Sequence, residues 1–274
     1  MKLVQWSLVL LLALSGSVAS AAVYCGQKFP VGTSYIPYCS NKKLGPAVFV
    51  IHGTNRNADD YLDYLDDLDT LVIAPEFQKS GPGLYWSDSS WNQGDRSRDS
   101  QRVSSFEVLD RMVEMYHGVA VVGHSGGGQF VTRYAAGTRM QGLTYIVANP
   151  SSYMWLNKNR PFGSASSCKW YNEYRYGLDD PNDYMSVGVA PDYPNRNVIY
   201  MLGSADTKID SGLDTTCYAN RQGRHRFERG TKFYEHLAQY YGRQVHRKVI
   251  VSGVGHKPSS MLKAARPYIL KAIR

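Results

Sequence analysis

Six short apolar runs, each bounded by polar or turn-forming residues, punctuate the chain. They predict strands at 46–51, 70–75, 118–122, 143–148, 197–202 and 245–251. Between them, apolar positions recur at helical spacing. Leu62, Tyr64, Leu65 and Leu68 follow Asn57 on one face of an acidic helix. Val108, Leu109, Met112 and Val113 follow Ser104, which forms a capping box with Glu107. Phe130, Val131 and Tyr134 mark a third helix, Phe233, Tyr234, Leu237 and Tyr240 a fourth. Met261, Leu262, Ala265 and Ile269 mark a closing one over about 259–273. At 274 residues this is enough chain for one α/β domain with a full core.

Three stretches carry no clean period. Residues 22–44 read as an irregular arm or short strands. Residues 78–103 form a long loop whose Tyr85, Trp86 and Trp91 either line a substrate cleft or pin the loop to the body. Residues 150–196, rich in Tyr, Trp, Pro, Asn and Asp, read as a small irregular cap or rim. There Tyr153 and Trp155, with Trp170 and Tyr171, are candidates to touch substrate. Few aliphatic residues lie in this insert, which favours an open cleft over a buried tunnel.

The first 21 residues stand apart. Lys2 precedes an apolar run from Leu3 to Leu14, and Ala19-Ser20-Ala21 forms a small-residue cleavage signal. The pattern predicts a secretory signal peptide over 1–21 and a single domain over 22–274. The run is too short to span a bilayer comfortably, so no stable membrane insertion is expected. Export places the protein outside the cell or in the periplasm, where thiols oxidise. The four cysteines, Cys25, Cys39, Cys168 and Cys217, are then expected to form two disulfides. Of three possible pairings we favour Cys25–Cys39, closing a short loop, and Cys168–Cys217. No ligand spacing suggests a metal, and none is expected.

The chemistry is carried by Gly123-His124-Ser125-Gly126-Gly127, set between the predicted strand and helix. A serine at the apex of so sharp a turn is exposed at the sheet edge. Glycines on either side allow the strand and helix to pack closely, and the helix N-terminus offers N–H groups to a developing oxyanion.

With this elbow the sequence resembles the α/β-hydrolase superfamily over residues 45–274. It is most similar to a group of secreted serine hydrolases that share the stretches Ile51-His52-Gly53-Thr54-Asn55-Arg56-Asn57-Ala58-Asp59, Ser105-Phe106-Glu107-Val108-Leu109-Asp110-Arg111 and Ala148-Asn149-Pro150-Ser151-Ser152-Tyr153. Bacterial poly(aspartic acid) hydrolases belong to the same circle of resemblance. The resemblance implies a mostly parallel central sheet flanked by helices. It also implies a Ser-Asp-His order of catalytic residues: Ser125 as nucleophile, Asp206 past the 197–202 strand as the acid, and His256 in the glycine-flanked loop after the last strand as the base. Asp210 and Asp214 compete with Asp206. The His52-Gly53 pair ends the strand whose loop supplies an oxyanion donor, so the expected donors are the N–H groups of Thr54 and Gly126. His52 itself is expected to be structural. No cofactor is implied.

Charge and composition refine the substrate only coarsely. The formal charge is +8, or +7 without Lys2. That suits an anionic polymer, cell wall or membrane surface, and equally suits solubility alone. Arg221, Arg224, His225, Arg226, Arg229 and Lys232 form either a polyanion dock or a solvated helix start, the second being favoured. They lack the interleaved aromatics of a nucleic-acid site. Tyrosine outnumbers phenylalanine 21 to 8, which suggests a polar binding face. The expected activity is hydrolysis of a carboxylic ester in a small or polymeric acyl substrate. The alternatives are amide hydrolysis in an acidic polymer such as poly(aspartic acid) and, in a different class, a non-catalytic binding protein on the same fold.

Overall fold

The computed structural model describes residues 22–164 and 167–274. The predicted signal peptide lies outside them. Eight strands form one sheet: β1 (Tyr24–Val31), β2 (Ser34–Ser40), β3 (Ala47–Ile51), β4 (Leu71–Pro75), β5 (Gly118–His124), β6 (Thr144–Ala148), β7 (Asn197–Gly203) and β8 (Arg247–Val251), in the order β1-β2-β4-β3-β5-β6-β7-β8. From β4 to β8 every neighbouring pair is parallel, while β1 and β2 form an antiparallel hairpin added at the edge. The predicted strands are all present within two residues of their expected ends. Of the two expectations for 22–44, an irregular arm or short strands, the second holds, and the strands pair as this hairpin. Prolines at 30 and 37 obscure its alternation. Even so, Phe29, Val31 and Ile36 turn inward, and an edge hairpin tolerates proline.

The helices are α1 (Ala58–Asp63), α2 (Ser105–Met115), α3 (Gly126–Gly137), the short α4 (Cys217–Asn220), α5 (Arg226–Tyr241) and α6 (Pro258–Ile273). They cover both faces of the sheet, which is why its strands read as continuous apolar runs. In β3, Phe49 and Ile51 join Phe106, Phe130, Tyr134 and Phe233 beneath α2, α3 and α5. The alternate residues Val48 and Val50 join Leu62, Met261, Leu262 and Ile269 beneath α1 and α6. Helix α1 ends earlier than its apolar pattern suggests. Asp66, Asp67 and Asp69 would crowd the negative end of a longer helix dipole, so Leu65 and Leu68 are buried from turns instead. The capping box before α2 is only half formed. Ser104 accepts from Phe106 N at 3.1 Å, while Glu107 pairs with Arg111.

Among its described residues, the 150–196 stretch holds no α-helix and no full strand, only short 3-10 turns such as Met185–Val187 and Tyr193–Asn195 and an isolated bridge between Glu173 and Asp179. Disulfides join Cys25 to Cys39 and Cys168 to Cys217, the favoured pairing. No helix among the described residues is long and apolar enough to cross a membrane.

The tyrosines do not form the expected open face. Tyr134, Tyr145, Tyr153, Tyr193 and Tyr200 are buried. Several hydroxyls find internal partners: Tyr193 meets Tyr200 at 2.9 Å, and Tyr134 and Tyr184 donate to Asp110 at 2.7 and 2.6 Å. A phenol can fill core space as phenylalanine does, and these bonded hydroxyls remove the cost of burying a polar group; the buried hydroxyls of Tyr145 and Tyr153 have no hydrogen-bond partner among the described residues.

Buried histidines give the fold a pH dependence. Burial pushes His52, His236 and His246 down to about 4 from their ordinary 6.5. The unfolded chain therefore takes up protons below pH 6.5 that the native state refuses until about pH 4. Stability is complete above the unfolded value and falls with pH across that window. Asp95 and Asp110, raised by burial, act in the opposite sense but only near the carboxylate range. Urea midpoints are expected to fall clearly between pH 7 and pH 5. A flat profile there would contradict this account.

Candidate active site

Strand β5 delivers Ser125 to the C-terminal edge of the sheet, and α3 begins at the next residue. The turn is strained: Ser125 has φ 59° and ψ −120°, a region that non-glycine residues rarely occupy. Backbone bonds fix it there, Ser125 N to Ala148 O at 3.0 Å and Gln129 N to Ser125 O at 3.0 Å. The glycines are dictated by close backbone approach. A Cβ on Gly127 would lie 2.1 Å from Ile51 O, and one on Gly123 2.3 Å from Gly127 O. In both cases the obstacle is main chain, which cannot swing aside.

Three loops at the same edge converge on this serine. Ser125 Oγ lies 2.9 Å from His256 Nε2, and His256 Nδ1 lies 2.7 Å from Asp206 Oδ2. A carboxylate only accepts, so Nδ1 of the neutral imidazole carries the proton and Nε2 accepts from the serine hydroxyl. Asp206 is 1% exposed, whereas His256 is 22% exposed on its side chain. Asn149, at the end of β6, braces these loops. Its Oδ1 accepts from Gly203 N at 2.8 Å, and its Nδ2 donates to Gly255 O at 3.2 Å.

The competing carboxylates point elsewhere. Asp210 makes a bidentate pair with Arg226, at 3.2 and 2.9 Å, which lowers its pKa. Asp214 accepts from Tyr176 at 2.6 Å and from Thr216. Burial acts to raise Asp214, but these bonds outweigh it and hold its pKa below the ordinary value. Arg226 also lies 3.6 Å from Asp206, so a buried cation faces the carboxylate that His256 engages.

Thr54 and Gly126 are neighbours across the site: a Cβ on Gly126 would lie 3.2 Å from Thr54 N. As the first residue of α3, Gly126 has an N–H with no acceptor inside its own helix. The Thr54 loop is anchored by Arg56, which donates to Phe77 O and Trp86 O, each at 2.8 Å, and to Asp88 O. His52 is an internal brace. Its Nε2 accepts from Phe77 N at 3.0 Å, which leaves Nδ1–H for Gly53 O at 2.8 Å.

The aromatic candidates are not brought to the serine. Trp86, Trp91, Tyr153 and Trp155 are at most 4% exposed and belong to the core under α3 and α5. Large rings in aperiodic stretches here pin those stretches down. Trp91 comes nearest, lying 3.3 Å from where a Gly126 Cβ would sit. Tyr85 is half-buried and lines neither cleft beside Ser125. The arginine-rich 221–232 stretch is corrected in part: Arg224 is exposed and His225 and Lys232 are half-buried, as a solvated helix start would have them, but Arg221, Arg226 and Arg229 are buried. Arg229 instead ties four elements together through Gly223 O, Ser151 O, Asp214 O and Asn220 Oδ1.

Two clefts meet at Ser125, Thr54 and Gly212. One, of about 310 Å³, is lined by Asn55, Asn57, Tyr61, His124 and His256. The other, of about 340 Å³, is lined by Ser89, Asn92, Gln129, Ser151, Arg175 and Asp214. Most of these polar residues are missed by sequence reasoning. Asn55 and Asn57 were accessible from their place just after the His52-Gly53 pair. Arg175 and Gln129 carry no local signal. His124, whose ring lies 4.5 Å from that of His256, is held well below its ordinary pKa by burial and by the neighbouring His256 and Arg226.

No family model and no curated protein matches the sequence. Among solved structures the chain is similar to LpqC, a poly(3-hydroxybutyrate) depolymerase from Bordetella parapertussis, at 20% identity and TM-score 0.70, covering 93% of this chain and 92% of that one. It is also similar to poly(aspartic acid) hydrolase-1 from Sphingomonas sp. KT-1, at 22% identity and TM-score 0.65, over 93% and 99% of the two chains. A putative dienelactone hydrolase from Klebsiella pneumoniae aligns at 14% identity and TM-score 0.51, over 92% and 98%. The chain has the α/β-hydrolase fold, as the sequence resemblance implied.

Proposed function

We propose that the protein is a secreted serine hydrolase that cleaves carboxylic esters. The observation that carries this reading is the hydrogen-bonded chain from Ser125 through His256 to buried Asp206, at 2.9 and 2.7 Å, on a strained elbow. Secretion is supported by the N-terminal leader pattern and by two disulfides.

In the proposed cycle Ser125 Oγ attacks the acyl carbonyl while His256 Nε2 takes its proton. Asp206 holds Nδ1–H and stabilises the imidazolium. The N–H groups of Thr54 and Gly126 receive the oxyanion. When the tetrahedral adduct collapses, the C–O bond to the leaving alcohol breaks and His256 returns the proton to that oxygen. Water, activated by the same histidine, then releases the acid. Each step uses groups of this chain already within reach of one another.

The second reading, amide hydrolysis in an acidic polymer, is favoured by the formal charge of +8 and by the likeness to the poly(aspartic acid) hydrolase. A fluorescent fluorophosphonate tests the shared premise. The mature, oxidised protein is expected to label stoichiometrically and to cleave short p-nitrophenyl esters. A folded protein that neither labels nor turns over would leave the fold as a binding scaffold.

A further inference from the structure

Each of the two clefts at Ser125 holds one arginine and one aspartate, Arg226 with Asp210 in the first and Arg175 with Asp214 in the second. Arg226 is paired with its aspartate while Arg175 bonds no carboxylate, and the mechanism assigns the two clefts different parts of a substrate. His256 must hand its proton to the departing group, so the leaving group exits into the cleft that His256 lines. The acyl remainder then occupies the cleft of Ser89, Asn92, Gln129, Ser151 and Arg175, which His256 does not line.

That acyl cleft is not a hydrocarbon slot. Arg175 is half-buried in its wall and donates to two neutral hydroxyls, Ser89 Oγ at 2.8 Å and Tyr176 Oη at 3.1 Å. A guanidinium has five donors, so it keeps capacity for another acceptor. Behind it lies Arg133, 0% exposed, and every hydrogen-bond partner it has is neutral: Asn92 O and Oδ1, Ser152 Oγ and Arg175 O. Neither arginine has a carboxylate within salt-bridge distance among the described residues. The one acid lining the cleft, Asp214, is turned onto Tyr176 and Thr216, and the Tyr176 hydroxyl stands between it and Arg175. Asp95 and Asp214 attract both arginines at longer range, but neither carboxylate bonds them directly, and a guanidinium held only by neutral hydrogen-bond partners is stabilised by an anion that completes the site.

We propose that this cleft is an anion-recognising acyl subsite, in which Arg175, backed by Arg133, binds a carboxylate carried on the acyl part of the substrate. Resting on the hydrolase reading, this names the substrate class: monoesters or amides of dicarboxylic acids, or acyl polymers bearing carboxylates. Ser89 and Asn92 hold the guanidiniums, and the bound carboxylate offers two acceptors in the plane that a guanidinium fork prefers.

The test compares p-nitrophenyl hemisuccinate, hemiglutarate and hemiadipate with the neutral p-nitrophenyl esters of matching length. At least one hemiester is expected to exceed its neutral counterpart tenfold or more in kcat/KM, with the preference shrinking as salt is raised. Arg175→Met is expected to collapse that ratio at least tenfold, and Arg175→Lys to restore part of it. Equal or poorer use of all three hemiesters by an enzyme that labels with fluorophosphonate would overturn the subsite and leave the hydrolase intact. So would an Arg175→Met variant that lowers both substrate series equally, because Arg175 would then be only structural. Absence of both labelling and ester turnover in the wild type would instead remove the hydrolase reading, and the subsite with it.

Discussion

Replacing Ser125 by alanine is expected to lower kcat for ester hydrolysis on the order of 10⁵–10⁶-fold and to abolish fluorophosphonate labelling, while the protein stays folded. The hydroxyl's only hydrogen-bond partner among the described residues is His256 Nε2. The backbone bonds that hold the elbow, to Ala148 O and from Gln129 N, survive the change. Residual activity would come from the Thr54 and Gly126 donors and from binding alone. The backbone makes a second, independent prediction. With φ at 59°, any side chain at 125 is strained, and glycine relieves that strain. Ser125→Gly should therefore be as inactive as Ser125→Ala but more stable by about 1 kcal/mol in urea unfolding, even after the added chain entropy of glycine. Near-normal turnover in either variant would remove Ser125 from its role. An alanine variant more stable than the glycine one would argue against the strained elbow.

The sequence makes the parallel strands and the three converging side chains legible for one physical reason. In a sheet covered on both faces, strands must be continuous apolar runs, as at Ala47–Ile51 and Gly118–Val122. The residues that follow such runs fall at a single edge. Ser125, Asp206 and His256 each sit just past a strand, so chain order alone brings them together. The aromatic residues at 85–91 and 153–155 are not governed by such a rule. In an aperiodic stretch, a tryptophan that lines a cleft and one that anchors a loop look the same. Trp86 shows the second outcome: it is fully buried and its Nε1 donates to Asp95 O at 2.9 Å. The arginines at 226 and 229 fail for a related reason. Their charge suggests exposure, but Asp206 and Asp210, which face Arg226, and Asp214 O and Ser151 O, which hold Arg229, lie 15 to 78 residues away in sequence, and nothing in the nearer partners Gly223 and Asn220 marks them as acceptors.

Arg226 bears directly on the second large effect, which is expected at Asp206. Asp206→Asn should cost kcat on the order of 10⁴-fold, by changing the tautomer of His256 and not its position. The carboxylate can only accept, and this fixes the proton on Nδ1 and leaves Nε2 free for Ser125. An asparagine can turn its NH₂ toward Nδ1, since the carbonyl oxygen is then drawn to Arg226, already 3.6 Å from the other carboxylate oxygen. Nδ1 would become the acceptor and Nε2 would carry the proton, so no base would face the serine. The fold should tolerate the change, because Arg226 keeps its bidentate partner Asp210. That same geometry supplies the control. The Asp210 carboxylate engages Arg226 and not the imidazole, and its side chain is 42% exposed, so Asp210→Asn should alter kcat by less than about tenfold. In proton NMR, the downfield Nδ1–H resonance expected of a His256–Asp206 bond should vanish in Asp206→Asn and persist in Asp210→Asn. If instead Asp210→Asn gave the 10⁴-fold loss and Asp206→Asn the small one, the acid would belong at Asp210, and the 2.7 Å contact to His256 would be structural.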